Sequence, residues 1–409
     1  MIGRIPHSKG NTYFMAACAV FITVIIVIYP SIAFNASIKG LHLWWEMVFP
    51  ALLPFFIAVE VLMALGVVHF IGVLLEPLMK PVFDVPGVGA FALAMGLTGG
   101  YPIGAKIAAN LRKRGLCSQA EAERLAYFTN TADPLFMSGS VAIGMFHLPG
   151  LAGLICGAHY ISAVILGILL RFHGKSKTHS IPGISYTKGN LLLRAFNELY
   201  NARKADGRPI GQVLGDSVRD SISAVILIGG FIMMFSVIIN ILFASGITGL
   251  AEQLLTPVMR LVGIDPELIS PITGGLFEIT LGIELASKAQ APLLGKLMVS
   301  NAIIAWGGLS VFAQVSAMTA GTDIRMRPYL ITRLIHALIA AFITIIAVSP
   351  YGQGLAGLVA PVFTFKPIGT QLPLYIKTVT LFTRAFKTLA IMVGLSVSIW
   401  FFRKYDLPS

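Results

Sequence analysis

Leu74-Leu75-Glu76-Pro77-Leu78-Met79-Lys80 is followed by Pro86 and then by Thr98-Gly99-Gly100. The pattern returns as Leu254-Leu255-Thr256-Pro257-Val258-Met259-Arg260, followed by Pro266 and then by Thr273-Gly274-Gly275. In both copies the second proline stands nine residues after the first. One such match could arise by chance in a chain rich in Leu and Gly. A shared order with equal spacing instead points to a duplicated unit, and in an apolar chain duplication marks transporters built from structural repeats.

The composition sets the class. Of 409 residues, 56% are hydrophobic and only 12% charged, with a mean hydropathy of +0.82. Soluble domains carry about 25% charged residues, so the bilayer must solvate much of this chain. The formal net charge of +12 lies between apolar runs. No basic stripe with interleaved aromatics accompanies it, which argues against nucleic acid as a partner and for membrane orientation. Cys18, Cys117 and Cys156 show no metal-ligand spacing, and the two in apolar runs read as core thiols rather than disulfide partners. Arg4 and Lys9 precede an apolar run that is long for a signal peptide and lacks a small-x-small cleavage site, so it reads as a retained first span.

A helix needs about 20 apolar residues to cross the hydrocarbon core. Eight segments meet this, near 13–34, 43–66, 120–146, 149–171, 221–245, 298–320, 329–349 and 378–401. The stretches 88–111 and 267–287 carry Thr-Gly-Gly in their middle, a poor continuous helix, and read as re-entrant hairpins. Basic residues then orient the chain. Arg4, Lys9, the Arg112-Lys113-Arg114 run, the loop 172–220, Arg325, Arg327, Arg403 and Lys404 all fall on the inner side of this arrangement. The outer segments 35–42 and 350–377 hold only Lys39, Lys366 and Lys377. The first hairpin then enters from the inner face and the second from the outer face. The expected fold is an all-α polytopic membrane protein of inverted repeats, with about eight transmembrane helices plus two opposed re-entrant helical hairpins. Its halves are 1–171 and 221–409, joined by a basic cytoplasmic linker, 172–220. Segments 67–82 and 247–261 read as interfacial helices before each hairpin.

Ionisable residues inside spans are candidates for a site. Asp133 precedes Pro134 in Asn130-Thr131-Ala132-Asp133-Pro134, where proline should break the helix and free backbone groups for a ligand. An ordinary kink capped by Asp133 is the alternative. Trp306-Gly307-Gly308-Leu309-Ser310 is the matching break in the second half, with Asn301 as a counterpart of Asn130. Lys106 either meets an anion or snorkels to the inner surface. Glu278 and Glu284 either bind a cation or proton, or balance Lys106, with Glu284 also able to reach the outer surface. Thr98, Thr273, Ser138, Ser140 and Ser310 either bond a ligand or bond back to their own helices. His159 and His336 read as structural, and Glu60 either stabilises helix packing through a polar partner or lines a route. The expected substrate site combines Thr98, Gly99, Gly100, Lys106, Asn130, Asp133, Thr273, Gly274, Gly275, Glu278, Asn301 and Ser310. The stretch 99–106 lacks the ending of a phosphate loop, and no HExxH, GxSxG or paired cysteine set is present. Neither enzyme chemistry nor a cofactor or metal centre is expected.

Three stretches resemble the Gate-domain superfamily, which includes nucleoside-recognition domains and the membrane part of ferrous-iron transporters. They are Gly96-Leu97-Thr98-Gly99-Gly100-Tyr101-Pro102-Ile103-Gly104-Ala105-Lys106, Asn130-Thr131-Ala132-Asp133-Pro134 and Thr273-Gly274-Gly275-Leu276-Phe277-Glu278. The architecture is also similar to concentrative nucleoside transporters. Over nearly the whole chain the closer resemblance is to the YlbJ, or SpoVV, sporulation integral membrane proteins of endospore-forming bacteria. That resemblance implies movement of dipicolinic acid across the outer forespore membrane, with both termini on the mother-cell side. A small anion, membrane lipids and a coupling proton or cation are the partners it implies. A nucleoside carrier and a membrane scaffold in spore assembly are the alternatives. The chain lacks the GTPase domain of the iron transporters.

Overall fold

The computed structural model describes residues 9–134, 136–174, 191–261 and 263–348, with residues 393, 394, 396 and 398. The segment 350–377, nearly all of the expected eighth span, Arg4 and the Arg403-Lys404 pair lie outside the described residues. All regular structure among the described residues is helical.

Helix α1 (Lys9–Ile28) turns sharply into α2 (Pro30–Leu43), with a bend of 102°. Pro30 opens α2 and cannot donate to the α1 ladder, so the expected span 13–34 breaks at Tyr29. Helix α2 runs through a π-helical turn, Trp44–Val48, into α3 (Phe49–Ala64). Residues 35–42, expected as an outer loop, are therefore helix. Ala33, Ala36 and Gly40 form a small buried face on α2 that lets it approach α10 (Ile210–Ala244). Ser236 Oγ donates to the Ala36 carbonyl at 2.8 Å, and Trp44 Nε1 donates to the Val225 carbonyl at 3.0 Å.

Left-handed Gly66 (φ 80°) turns the chain from α3 into α4 (Val67–Phe83). Then come α5 (Gly89–Gly99), α6 (Ile103–Lys113), α7 (Gln119–Phe128), a non-helical stretch, a π-helical segment (Phe136–Met145) and α8 (Ala152–Leu170). Ser118 and Glu121 start α7 with a capping box. The expected span 120–146 is thus split. Helix α9 (Leu191–Asp206) lies in the linker. After α10 the order recurs: Gly246 (φ 75°), α11 (Ile247–Leu261), α12 (Ile269–Phe277), α13 (Ile279–Lys288), α14 (Leu293–Trp306), α15 (Gly308–Met318) and α16 (Met326–Val348). One offset in numbering relates Gly66 to Gly246, Pro77 to Pro257 and Pro86 to Pro266.

Among the described residues, four helical segments are long and apolar enough to cross a membrane: Pro149–Leu170, Ile210–Ala244, Leu293–Met318 and Met326–Val348. Counting each of two bent pairs as one span raises the number to 6. The expected eight are not reached among the described residues. Both stretches expected as hairpins are pairs of short helices in mutual contact, α5 with α6 and α12 with α13. The first divides directly after its Thr-Gly-Gly. In the second, Thr273-Gly274-Gly275 stays inside α12 and the division falls at Glu278. Glycine serves close packing there: a Cβ on Gly275 would lie 2.5 Å from the Ile303 side chain, and one on Gly282 would lie 2.4 Å from Gly275 Cα.

One end of the bundle is tied by ion pairs between the halves. Glu123 is fully buried and receives Arg325 at both carboxylate oxygens, at 2.7 and 2.8 Å. Arg112 meets Asp323 with two 2.8 Å hydrogen bonds. Within the first half, Arg124 bonds Asp84, and Lys80 bridges Asp84 and Glu121 at the same end.

Two outcomes follow from this packing. A Cβ on Gly96 or Gly104 would lie 2.0 or 2.3 Å from the Thr129 carbonyl oxygen, a backbone atom that cannot move aside. Gly96→Ala is expected to lower stability in detergent by about 1–3 kcal/mol, while Gly230→Ala, which meets nothing within 4 Å, stays within about 0.5 kcal/mol of wild type. The Arg112 guanidinium holds the Asp323 carboxyl below the usual carboxylate range. Its contribution is therefore full above the unfolded value of about 3.9 and fades as pH falls through the lower folded value. Asp323 is half exposed, so Asp323→Asn should cost no more than about 1 kcal/mol at neutral pH. Denaturation in acid should show that gap closing below about pH 3.9.

Candidate functional site

Four interruptions in helices converge. The first is Gly100-Tyr101-Pro102 between α5 and α6. Gly100 has φ 77°, and a Cβ there would stand 2.9 Å from Asp133 Oδ2, so conformation and space both demand glycine. The second is Asn130-Thr131-Ala132-Asp133, against which both arms of the first pair close through Gly96 and Gly104. Thr131 Oγ1 donates to the Gly96 carbonyl at 3.0 Å. The Tyr160 hydroxyl lies between the carbonyls of Leu97 and Ala132, at 2.9 and 3.1 Å. The third is Glu278, in extended backbone between α12 and α13. The fourth is Gly307-Gly308, with φ of 86° and 71°.

The interruptions touch one another. Gly100 abuts Asp133. The Tyr101 hydroxyl donates to the Ile304 carbonyl at 2.7 Å, and its ring lies beside Gly307. Trp306 Nε1 donates to the Leu276 carbonyl at 3.0 Å, and a Cβ on Gly308 would lie 2.8 Å from the Phe277 oxygen.

Arg333 of α16, 1% exposed, lies against the second interruption. Its guanidinium donates to the Asn130 carbonyl at 2.7 Å, the Tyr127 carbonyl at 2.8 Å and His336 Nδ1 at 2.9 Å. It also lies beside the phenols of Tyr101 and Tyr329. Arginine can only donate, so His336 Nδ1 is the acceptor and its Nε2–H donates to Ser162 Oγ at 2.9 Å. The Ala132 N–H likewise makes His159 Nε2 an acceptor, at 3.1 Å. Asn130 Nδ2 donates to the Tyr329 hydroxyl at 2.8 Å. Among the described residues, every hydrogen bond from Arg333 thus ends on a neutral acceptor, and its positive charge stands beside the Asn130 interruption and the Tyr101 phenol.

The helix starts around it are of two kinds. Asp133 accepts the Phe136 N–H at 2.8 Å, and Glu278 accepts the Leu281 N–H at 2.8 Å and the Thr280 hydroxyl at 2.7 Å. These carboxylates occupy their own helix N-termini, so the start behind Asp133-Pro134 is not left open for an anion as the sequence suggested. Helices α6 and α15 pack together, and both begin with no side-chain cap and no acid in the first turn. Their free N–H groups and dipoles favour negative charge.

The sequence-derived residues divide accordingly. Gly99, Gly100, Asn130, Asp133, Glu278 and Ser310 lie at or within one turn of an interruption. Ser310 accepts from Gln314 at 3.4 Å. Lys106 does not face the interruptions: it is buried over the Phe56 ring, 3.4 Å from Glu60 Oε1, which also accepts from Asn110 at 3.0 Å. Thr98 and Thr273 bond back to Ala94 and Ile269, and Gly274 and Gly275 pack inside α12. Asn301 sits within α14 and donates to Thr344 at 2.8 Å, so it is no positional counterpart of Asn130. Glu284 pairs with exposed Lys288. Sequence reasoning passed over Arg333 and Tyr101. A lone arginine one turn into the apolar run 329–349 was the available signal.

Removal of the central cation should be severe. Arg333→Ala is expected to destabilise the detergent-solubilised protein by about 3 kcal/mol or more, since it strands the carbonyls of Tyr127 and Asn130. Arg333→Lys should recover little, because an ammonium cannot reproduce the planar fork. Thermal unfolding followed by size-exclusion chromatography would measure both.

The Gate family model, described as nucleoside recognition, matches residues 45–174, which include the first two interruptions. No solved structure matches the chain. The sporulation integral membrane protein YlbJ of Bacillus subtilis (strain 168) is 40% identical over 343 residues, which is 84% of this chain and 84% of the relative. With a Gate region that brings two helix interruptions together and identity over most of both lengths, this chain belongs to the YlbJ family of sporulation integral membrane proteins.

Proposed function

We propose that the protein is a secondary transporter of a small anionic solute, dipicolinic acid, across the outer forespore membrane. One observation carries the reading. The Arg333 charge, bonded among the described residues only to neutral acceptors, stands against the Asn130 interruption and the Tyr101 phenol, and Tyr101 in turn links to the Gly307-Gly308 interruption, where α15 begins uncapped as α6 does. Dipicolinate is a flat aromatic dianion at neutral pH, and N-terminal helix dipoles with a fixed cation suit its carboxylates. Asp133 and Glu278 oppose a bare anion, and a coupled proton or cation on these carboxylates would relieve that repulsion.

The recurring element order supports an inverted-repeat reading. The first helix pair would enter from the inner face and the second from the outer face, with both termini on the mother-cell side. Broken helices and paired short helices at mid-depth are how inverted-repeat transporters expose one site alternately to each side. The Gate family's description favours a second reading, a nucleoside carrier.

Uptake of labelled solutes into proteoliposomes, with and without a proton gradient, separates these. Saturable dipicolinate uptake that excess nucleoside does not inhibit is expected. Tyr101→Phe, which removes the bond to Ile304, should slow it several-fold without loss of folded protein. Nucleoside uptake would support the second reading. Absence of any solute movement, with retention of other spore-membrane proteins, would support a scaffold.

A further inference from the structure

Helix α9 has three faces. Ala195, fully buried, and Leu199 pack it onto α3 and α4. A Cβ on Gly66, at the end of α3, would lie 2.5 Å from the Leu199 carbonyl oxygen, so α9 sits at the mouth of that helix. A second sector carries Leu192, Leu193, Phe196 and Tyr200, which recur at helical spacing and are 54–65% exposed. Phe196 also reaches Phe70 of α4, with ring centroids 4.9 Å apart. The third sector is polar, with Asn197, Asn201 and Lys204 exposed.

Helix α9 is not among the helices long and apolar enough to cross a membrane, and it lies beside the Gly66 turn at which α3 ends. It carries Arg194, Arg203 and Lys204 against Glu198 and Asp206, with Arg203 paired to Asp206. An amphipathic helix with an excess of basic residues matches an interfacial helix on an anionic surface.

We propose that α9 is a membrane-surface helix. Its Leu192, Leu193, Phe196 and Tyr200 face inserts among the lipids, and its Arg194 and Lys204 bind the anionic headgroups of that leaflet. The apolar anchor and the charges then act together. Through α4, which leads into the first pair of short helices, α9 would fix that pair at a set depth. The assignment does not depend on the solute carried.

Spin labels on the full-length protein test this. Cys117 and Cys156 are buried and unreactive, so Cys18→Ala leaves a background in which single cysteines can be labelled. Labels at Leu193→Cys and Tyr200→Cys, in liposomes containing phosphatidylglycerol, are expected to collide with oxygen several-fold more than with an aqueous nickel complex. Labels at Asn197→Cys and Asn201→Cys should show the reverse. In pure phosphatidylcholine, or after Lys204→Glu with Arg194→Glu, the ratio at 193 and 200 should fall. Equal aqueous access at all four positions would overturn the assignment, as would burial of 193 and 200 from both reagents. Immersion that is unchanged in phosphatidylcholine would overturn the anionic-lipid part. Should one label disturb folding, quenching of a Tyr200→Trp variant by brominated phosphatidylglycerol gives an independent depth.

Discussion

The structure turns on how backbone groups released by broken helices are satisfied away from water. A helix that stops inside an apolar bundle leaves carbonyls and N–H groups without partners, each costing several kcal/mol if left unpaired in hydrocarbon. Arg333 answers this at the end of α7, where one guanidinium takes the Tyr127 and Asn130 carbonyls. His159 takes the Ala132 N–H, and the Tyr160 hydroxyl lies between the Ala132 carbonyl of the gap and the Leu97 carbonyl of α5. The Asn130–Asp133 interruption can therefore persist at depth, and α5 and α6 can close on it through two glycines.

The same solution is applied with different chemistry in the second half. Glu278 satisfies the start of α13 by itself, and Trp306 reaches back to the Leu276 carbonyl. Tyr101 links the halves by donating to Ile304. The arrangement leaves two helix starts capped by carboxylates and two without a side-chain cap, with Arg333 against the interruption that precedes one of the capped starts. A site with this mixture of fixed positive field and titratable caps is suited to an anion whose passage is matched by a proton or cation.

Much of this was legible in the sequence. Proline after Asp133 and the Gly307-Gly308 pair mark real interruptions, because a missing N–H and a left-handed conformation act locally and need no tertiary partner. The short helices before each pair were legible for the same reason. What escaped depended on distant contacts. Lys106 looked available until α3 supplied Glu60. The second Thr-Gly-Gly looked like a turn, but its glycines serve the approach of α13 and α14. Asn301 looked like a counterpart of Asn130, yet α14 continues through it and breaks later. Arg333 was passed over because a single basic residue near the start of an apolar run reads as an interfacial anchor. Only the fold places it against the end of α7. The helical course of residues 35–42 rests on the small face of α2 against α10, a distant contact that composition alone does not reveal.

The most direct measurement is an experimental density map of the protein with dipicolinate bound in a lipid nanodisc. The account expects ligand density between Tyr101 and the Gly307-Gly308 interruption, with a carboxylate toward the first turns of α6 and α15 and within the field of Arg333. Ligand density that lies away from all four interruptions, or an Arg333 paired with a carboxylate of the protein in that map, would contradict it.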